Sequence, residues 1–593
     1  MEGEQGGLTP ARKVGFTILL VAGIACAILC GLDSASRLAQ TSDSAQSFVA
    51  GHAVVGGNIL LSGWHAPLDD YYFTDTIPYA ALEWLVGPRP FLLALVPALT
   101  YALFVCAGLA LCLRPSQPLM RKLEATAAVM LMLAAPGWIS GWNPLLMSDM
   151  HFATVLAALV ALALCAVVAR YERRNVWAFV SLCAALVVVV AATIASDPFS
   201  LVFAFGPALV LLSADALLRP PARNERLALL LLAGGTALGL LLPPLIALAG
   251  GFTTEDNVKV GFVAWRLFGR NLIALLAGVL TLFGANPFGI NFSSRVVLLF
   301  ALRCAAIAIA IVAVSRAACR LCAPHRASLF DRMLCAGVLT VLAACALSAQ
   351  FGKGITREAL WMGGPPMRYA MPAALFGAVL GARLIPEMLS AMRGPRSRNV
   401  ARGVLMLFAV LTVFASGSST MEAAPRWIRN NPPAMAARWL ERERLSEGVG
   451  EYWSANLVTA MSGDTVRVRS VVPLAGRLVD YVLAANRNWY VRPPQFVIWQ
   501  DENRTGVTFA DVRATYVICR VASVAGYRIA VLATLDREHA PGCDHTTKKA
   551  ELRTHRLQRP NSHSKVVSLP KFRIPYRKFA RHFRGLPVSV HLS

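Results

Sequence analysis

Repeated apolar segments of membrane-span length constrain the fold more than any other feature of this sequence. A helix that crosses the hydrocarbon core needs about 20 mostly apolar residues. The composition agrees, since 56% of the 593 residues are hydrophobic and 15% are charged. This excludes an ordinary soluble enzyme and predicts an α-helical polytopic membrane protein. The predicted spans, about eleven, cover residues 14–33, 91–113, 122–140, 150–170, 176–195, 199–218, 227–249, 295–315, 332–349, 369–390 and 402–419.

The distribution of basic residues predicts the two sides of the membrane. Arg and Lys collect in cytoplasmic loops, and here they cluster in alternate loops between the predicted spans. This places the N-terminus in the cytoplasm, and it places the first loop (34–90) and everything after about residue 420 outside. The net charge of +24 therefore does not indicate nucleic acid, for which no recognition motif is present. The basic loops cover residues 114–122, 170–174, 219–226, 316–332 and 393–402.

One apolar segment does not fit this alternation. Residues 262–285 are apolar enough to span the membrane. A span there would move the basic loop 316–332 to the outside, against the rule for basic residues. We therefore predict that 262–285 forms a helix that lies along, or dips into, the outer face. Such segments are tolerated where they line a cavity.

The chain after the last span changes character. Residues 1–419 form the predicted membrane domain, and 420–545 form a small extracytoplasmic α/β domain. Its strands are expected at VRVRSVV, QFVIWQ, TYVICRV and YRIAVLATL, which are rich in Val, Ile and Tyr. Residues 546–593 form a basic tail that is either flexible or in contact with anionic lipid. Cys519 and Cys543 lie outside by this topology and are candidates for a disulfide.

An acidic cluster follows the first span, in the stretch WHAPLDDYYFTD (64–75). A carboxylate at the membrane–water boundary can deprotonate a hydroxyl or hold a cation. Asp69 and Asp70 are neighbours, so their repulsion tends to raise the pKa of one of them. Successive side chains of an extended segment point to opposite faces, so we expect only one of the two to face a cavity. The alternative is that these acids and Asp75 cap helices and solvate a loop.

Cations collect in a late outer loop, QFGKGITREALWMGGPPMRYAMP (350–372). Positive charge is scarce in outer loops, so Lys353, Arg357 and Arg368 require an explanation. Arg forks onto phosphate oxygens, and with Tyr369 these residues form a candidate site for a lipid-linked phosphate. The alternative is that the cations reach the membrane surface from helix ends.

A base on one outer loop and a phosphate site on another predict glycosyl transfer from a polyprenyl-phosphate sugar. The cations would stabilise the leaving phosphate and the acid would activate an acceptor hydroxyl. Further polar residues of the outer loops are candidate contacts for donor or acceptor, although structural roles at helix ends are an alternative for each. These residues are His65, Asp149, His151 and Glu255.

The layout resembles the GT-C superfamily of integral membrane glycosyltransferases, which includes protein O-mannosyltransferases, lipid A aminoarabinose transferases and oligosaccharyltransferase catalytic subunits. The resemblance rests on PLDDYYFTD in the first outer loop, the multi-span body, the loop ending in RYAMPAALFGAVL and the outer α/β domain. Within it, the chain is most similar to bacterial family-39-like or Rgt-like members. The first loop carries Asp-Asp where aminoarabinose and mannosyl types carry Asp-Glu, and the W-W-D signature of asparagine-linked transfer is absent.

The resemblance implies a role for each candidate residue. Asp69 or Asp70 is the catalytic base, Asp75 is a supporting acid, and Arg368 with Lys353 or Arg357 meets the donor phosphate. It also implies a bacterial inner membrane location and transfer to an envelope glycan, lipid or protein. No cofactor is certain, because some members use a divalent ion (Mg or Mn) and others do not. Two other classes stay open, namely a transporter or lipid flippase and a non-catalytic envelope scaffold.

Overall fold

The structure is a computed structural model in which the elements form a helical body and a C-terminal α/β region, called the outer region after its predicted side of the membrane. It describes residues 10–38, 40–113, 117–133, 143–172, 175–218, 223–255, 261–288, 294–321, 327–352, 366–420, 431–500 and 506–533. Within these ranges, eleven helices are long and apolar enough to cross a membrane. The predicted fold class, a polytopic helical membrane protein with a C-terminal α/β region, is confirmed.

The helices follow the chain in this order: α1 (Pro10–Arg37), α2 (Ser42–Val55), α3 (Ile77–Val86), α4 (Leu92–Cys112), α5 (Leu119–Leu133), α6 (Phe152–Arg170), α7 (Val176–Ser196), α8 (Gly206–Leu218), α9 (Arg223–Leu248), α10 (Trp265–Leu282), α11 (Ser294–Ala318), α12 (Leu329–Leu347), α13 (Met367–Ser390), α14 (Pro395–Thr420), α15 (Pro432–Arg442), α16 (Tyr452–Met461) and α17 (Phe509–Thr515). Single π-helical turns cover Tyr72–Thr76 and Leu201–Phe205, and they precede α3 and α8 directly. The strands are β1 (Trp64–Ala66), β2 (Thr253–Thr254), β3 (Glu447–Glu451), β4 (Arg467–Leu474), β5 (Arg477–Asp480), β6 (Ala485–Asn486), β7 (Phe496–Gln500), β8 (Ile518–Val524) and β9 (Tyr527–Leu532).

The helices of span length are not the same set as the predicted spans. The predicted span 122–140 corresponds to α5, whose described part ends at Leu133, and residues 134–142 lie outside the described ranges. The eleven helices that are long and apolar enough include α10 in its place. Length and composition thus leave both elements as candidates, and their contacts have to separate them.

The contacts of α10 favour its predicted position along the outer face. Just before α10 begins, the Val263 N–H donates to the Leu347 carbonyl at the end of α12 (2.7 Å). In its first half, the Asn271 side chain donates to the carbonyls of Ala346 and Ser348 (3.0 and 2.8 Å). Near its end, Gly278 packs against Met367, the first residue of α13. Both halves of α10 therefore contact the same predicted outer ends of α12 and α13. A helix crossing the membrane beside them would move away from those ends.

Buried ion pairs connect the opposite, predicted cytoplasmic ends of several helices. Arg332 in the first turn of α12 forms a forked pair with Asp215 of α8, with both N–O distances 2.7 Å. Its neighbour Asp331 pairs with Arg383 of α13 at 2.6 Å. Charged side chains within a helical body are costly unless they are paired. These pairs are satisfied by each other, so we assign them to the packing of the helices.

The outer region is built on one mixed sheet in the order β5-β4-β3-β7-β9-β8, with β3 parallel to β4 and β7. Alternating side chains of its strands divide between two cores. Val497 packs with the α17 side, while Phe496 and Ile498 belong to a core that also contains Phe48 of α2 and Tyr79 of α3. The first outer loop and the sheet thus share one hydrophobic core.

A second, three-stranded sheet connects distant parts of the chain. β1 of the first outer loop lies between β2, which follows α9, and β6 of the C-terminal region. The Ala484 N–H donates to the His65 carbonyl (2.8 Å), and the Arg487 N–H donates to the Gly63 carbonyl (2.8 Å). These bonds fix the C-terminal region directly beside the acidic stretch of the first loop.

Candidate active site

The acidic stretch forms a tight turn that gives Asp69 and Asp70 different surroundings. Tyr71 has a left-handed φ of 52°, and its N–H donates to the Ser196 carbonyl at the end of α7 (3.0 Å). Asp70 accepts the Tyr72 N–H at 2.8 Å, at the first residue of the π-helical turn. Asp69 instead accepts the Tyr71 hydroxyl at 3.0 Å and is half-buried. The two neighbours therefore act on different partners.

The burial of Asp70 limits its access to a substrate. It is 8% exposed, and this burial, with the nearby Asp69 charge, raises the pKa of Asp70 well above its ordinary value. Its Oδ2 atom is buried and has no hydrogen-bond partner among the described residues. Oδ1 of Asp70 is occupied by the Tyr72 N–H, and the buried Oδ2 is not exposed to solvent. The geometry therefore favours Asp69 as the acid that faces the reaction.

A buried chain of polar groups continues from Tyr71 into the helical body. The Tyr71 hydroxyl lies 3.1 Å from His151 Nδ1, which lies 2.7 Å from Asp197 Oδ2. Asp197 is fully buried at the end of α7, and His151 precedes α6 with a left-handed φ of 68°. Nδ1 carries one proton, and the carboxylate is its closer acceptor. The Tyr71 hydroxyl is thereby left to donate to Asp69, so three elements orient the candidate base.

A second pair of acids, Asp75 and Asp149, packs beside the turn. Asp149 accepts the Ser47 N–H (3.2 Å) and its hydroxyl (2.5 Å), and the Asp149 N–H donates to Asp75 (3.4 Å). Burial raises the pKa of Asp75 to about 7, and burial with the Asp75 charge raises the pKa of Asp149 well above its ordinary value. These contacts connect α2 to the turn. Asp75 and Asp149 therefore affect the site indirectly, by fixing the position of the loop that carries Asp69.

Arg368 lies at the start of α13 with its guanidinium on the face of the Tyr369 ring, 4.9 Å from the ring centre. Its NH2 donates to the Tyr369 hydroxyl (2.9 Å), and NH1 contacts the Met150 sulfur (3.6 Å). Its Nε is buried without a hydrogen-bond partner in the described part of the chain. The Tyr369 ring contacts His151 at 5.2 Å between centres. Arg368 is thus linked to Asp69 through Tyr369, His151 and Tyr71.

Two residues that the sequence did not single out complete the cluster. Asp43, in the first turn of α2, accepts the hydroxyl of Tyr452 from α16 at 2.5 Å. Burial raises the pKa of Asp43, and this rise is opposed by the Tyr452 hydrogen bond and the Arg368 charge and increased by the Asp69 charge. The two residues are 409 positions apart, and no local pattern could have paired them.

The other sequence-predicted residues are placed as follows. His65 lies in β1, with Nδ1 3.0 Å from the Thr253 hydroxyl. The Glu255 N–H donates to the Ala66 carbonyl (3.1 Å), and after burial the Glu255 charge is the main factor that raises the pKa of Tyr481 to about 12. Among the described residues no group of three or more His, Cys, Asp or Glu side chains is placed to hold a metal ion.

Three predicted residues lie outside the described ranges: Lys353, Arg357 and Cys543. Their roles stay predictions. Cys519 is disulfide-bonded, and its pairing with Cys543 is likewise a prediction. Arg368 is therefore the described cation on which the phosphate site can be assessed.

Comparison with known proteins gives similarity of structure only. No family model matches the sequence, and no curated protein matches it. The structure is similar to two crystal structures of ArnT from Cupriavidus metallidurans, in the apo state and bound to undecaprenyl phosphate, each at 12% identity. The TM-scores are 0.46 and 0.47, with 87% and 89% of this chain and 98% and 99% of the ArnT chain covered. At this level of similarity the function has to be argued from the chain's own side chains.

Proposed function

We propose that this protein is a membrane glycosyltransferase of the GT-C type. It transfers a sugar from a polyprenyl-phosphate donor to an envelope glycan, lipid or protein on the outer face of a bacterial inner membrane. The observation that carries the proposal is the chain of contacts that links Asp69 to Arg368 through Tyr71, His151 and Tyr369, although the two ends are 299 positions apart in the numbering. In the predicted topology both residues lie at the outer ends of the spans, where a lipid-linked phosphate would be held.

Asp69 acts as the general base in this proposal. Its carboxylate takes the proton of an acceptor hydroxyl as the oxygen bonds to the anomeric carbon of the sugar. The bond from that carbon to the phosphate oxygen breaks, and the electron pair leaves with the polyprenyl phosphate. Attack opposite the leaving group inverts the anomeric centre. The Tyr71 hydroxyl holds the Asp69 carboxylate in place, and general bases of this kind contribute about 10²- to 10⁴-fold to the rate.

Arg368 stabilises the leaving phosphate. A guanidinium presents several donors in a planar fork that matches phosphate oxygens. Here one edge of the fork is fixed by Tyr369, and Nε is left without a partner in the described residues. Negative charge that develops on the phosphate is stabilised most by donors that are already oriented. Lys353 and Arg357 of the same outer loop are proposed as further phosphate contacts.

The proposal is tested by comparing Asp69→Asn with Asp70→Asn in protein reconstituted in nanodiscs. Transfer of label from a panel of polyprenyl-phosphate sugars to envelope fractions would be measured. Asp69→Asn removes the base, so we expect transfer to fall by about 10²-fold or more. Asp70→Asn keeps an oxygen for the Tyr72 N–H and leaves the Asp69 carboxylate in place. It should therefore retain activity within about threefold.

Asp70→Asn serves as the matched control, because both variants exchange a carboxyl for an amide at adjacent positions. Equal loss in both variants would point to a disturbed turn, and full activity of Asp69→Asn would refute the base assignment. Wild-type protein that transfers no sugar from any member of the panel would overturn the proposed donor class.

A further inference from the structure

Arg368 is surrounded by acids, yet it forms no ion pair with a described residue. Asp43 and Asp69 are both close enough for their charges to act on it. Each acid is instead held by a tyrosine: Asp69 by Tyr71 at 3.0 Å and Asp43 by Tyr452 at 2.5 Å. The cation therefore stays available although carboxylates lie near it.

The position of Tyr452 is fixed by the outer region rather than by the membrane helices. It is the first residue of α16, and its ring packs edge-on against Tyr481 with 5.6 Å between centres. One turn further along α16, the Asn456 N–H donates to the Ser42 hydroxyl at the start of α2 (3.1 Å). Asp43 follows Ser42 directly, so the same contact places Tyr452 opposite Asp43.

A free Asp43 carboxylate would compete with a phosphate for Arg368. Charge-assisted Arg–carboxylate and Arg–phosphate hydrogen bonds use the same donors and the same planar geometry. The Asp43 carboxylate is partly buried, and such a charge is costly unless it is compensated by a hydrogen bond or a cation. If the Tyr452 hydroxyl were missing, the Arg368 charge, which already acts on Asp43, would remain as compensation. The Tyr452–Asp43 hydrogen bond would thus affect whether Arg368 is available to a phosphate, in addition to stabilising the fold.

We propose that Tyr452 is a positioning residue of the donor-phosphate site, contributed by the C-terminal region. Its hydroxyl holds the Asp43 carboxylate away from Arg368 and so keeps the guanidinium free for the phosphate. This inference rests on the proposed function, which assigns Arg368 to the lipid phosphate. It adds a requirement for the outer region, because a membrane domain without Tyr452 would have its cation occupied.

The inference is tested by the binding of a polyprenyl phosphate that carries no sugar, so that catalysis is not needed. Binding to full-length protein in nanodiscs would be measured for wild type, Tyr452→Phe, Asp43→Asn and the double variant. Tyr452→Phe keeps the ring and frees Asp43, so we expect about tenfold weaker binding. The double variant removes the competing charge and should bind within about twofold of wild type.

Tyr490→Phe is the matched control, since the Tyr490 hydroxyl donates only to carbonyls of the outer region, those of Ser470 and Tyr481, among the described residues. It should bind the lipid phosphate as wild type does. Wild-type binding with no effect of Tyr452→Phe, or with no recovery in the double variant, would overturn this inference and leave the proposed function in place. Absence of binding to wild type would overturn both.

Discussion

At the scale of single residues, the site depends on how neighbours in the sequence are separated by the turn. The sequence predicts an acidic pair at Asp69 and Asp70, and repulsion predicts that one pKa rises. It does not predict which residue is affected, because the difference comes from burial and from the Tyr72 N–H and the Tyr71 hydroxyl. Those partners depend on the left-handed backbone at Tyr71. A tyrosine does not predict this conformation, which is usually indicated by Gly, Asn or Asp.

The buried acid Asp75 should make stability depend on pH. Burial raises its folded-state pKa to about 7, against about 4 in an unfolded chain. The folded state therefore holds a proton that the unfolded state has lost, and this contribution to stability is present below pH 4 and lost as the pH rises towards 7. We expect Asp75→Asn, which cannot ionise, to gain stability relative to wild type over this interval.

The gain is at most about 4 kcal/mol, from 1.36 kcal/mol per pKa unit. It would be measured as the difference between the thermal unfolding midpoints of variant and wild type in detergent at pH 4.5 and 7.5. Most other titrating groups are shared by both proteins and cancel in this difference. The exception is Asp149, because the Asp75 charge contributes to its raised pKa. A constant difference across the pH range would contradict the raised pKa.

At the scale of elements, hydropathy and charge predict most helices but not their relation to the membrane. The segments QFVIWQ and YRIAVLATL contain β7 and β9, and VRVRSVV covers β4 except for its last two residues, because runs rich in Val, Ile and Tyr predict strands. Residues 262–285 have the apolarity of a span, and their position is decided by contacts such as those of Asn271 with the end of α12. Such contacts depend on the folded neighbours, so hydropathy alone cannot separate a span from a surface helix.

The predicted position of α10 along the outer face implies that both of its ends are accessible from outside the cell. Phe262 and Phe288 flank the helix and are 86% and 49% exposed, so a cysteine at either site should be tolerated. In intact cells, a membrane-impermeant maleimide should label Phe262→Cys and Phe288→Cys alike. The native Cys319, exposed after α11, is predicted to be cytoplasmic and should label only after permeabilisation. Labelling of only one of the two engineered sites would show that α10 crosses the membrane.

At the scale of the whole molecule, the site joins parts of the chain that are hundreds of residues apart. The first outer loop, the start of α13 and the C-terminal region each contribute side chains, and β1 binds β6 across the join. Sequence periodicity acts over one element and contains no information on such pairings. The Asp43–Tyr452 contact and the three-stranded sheet therefore could not be predicted from the sequence. The acidic loop and Arg368 could be named as candidates because their residue types stand out locally.

Gly63 provides a test of the pairing between β1 and β6. It has a left-handed φ of 83°, and a Cβ at this position would come 2.8 Å from the Asn486 side-chain oxygen of β6. Gly63→Ala should displace β6, lower the unfolding midpoint and speed amide exchange in both β1 and β6. Gly57→Ala is the control, because Gly57 has a similar φ of 94° and no neighbour within 4 Å. It has the same backbone strain, about 1–2 kcal/mol, without the collision, so equal effects of the two variants would argue against a tight join.

The core shared by the sheet and the first loop limits how this protein can admit a substrate. Phe48 and Tyr79 of the first loop pack in the same core as Phe496 and Ile498 of the sheet. A hinge motion of the outer region away from the first loop would therefore expose this core to water. Any movement that admits a substrate must then come from segments that do not pack in this core. In the proposed function, the polyprenyl-phosphate sugar would therefore enter beside an outer region that keeps its position.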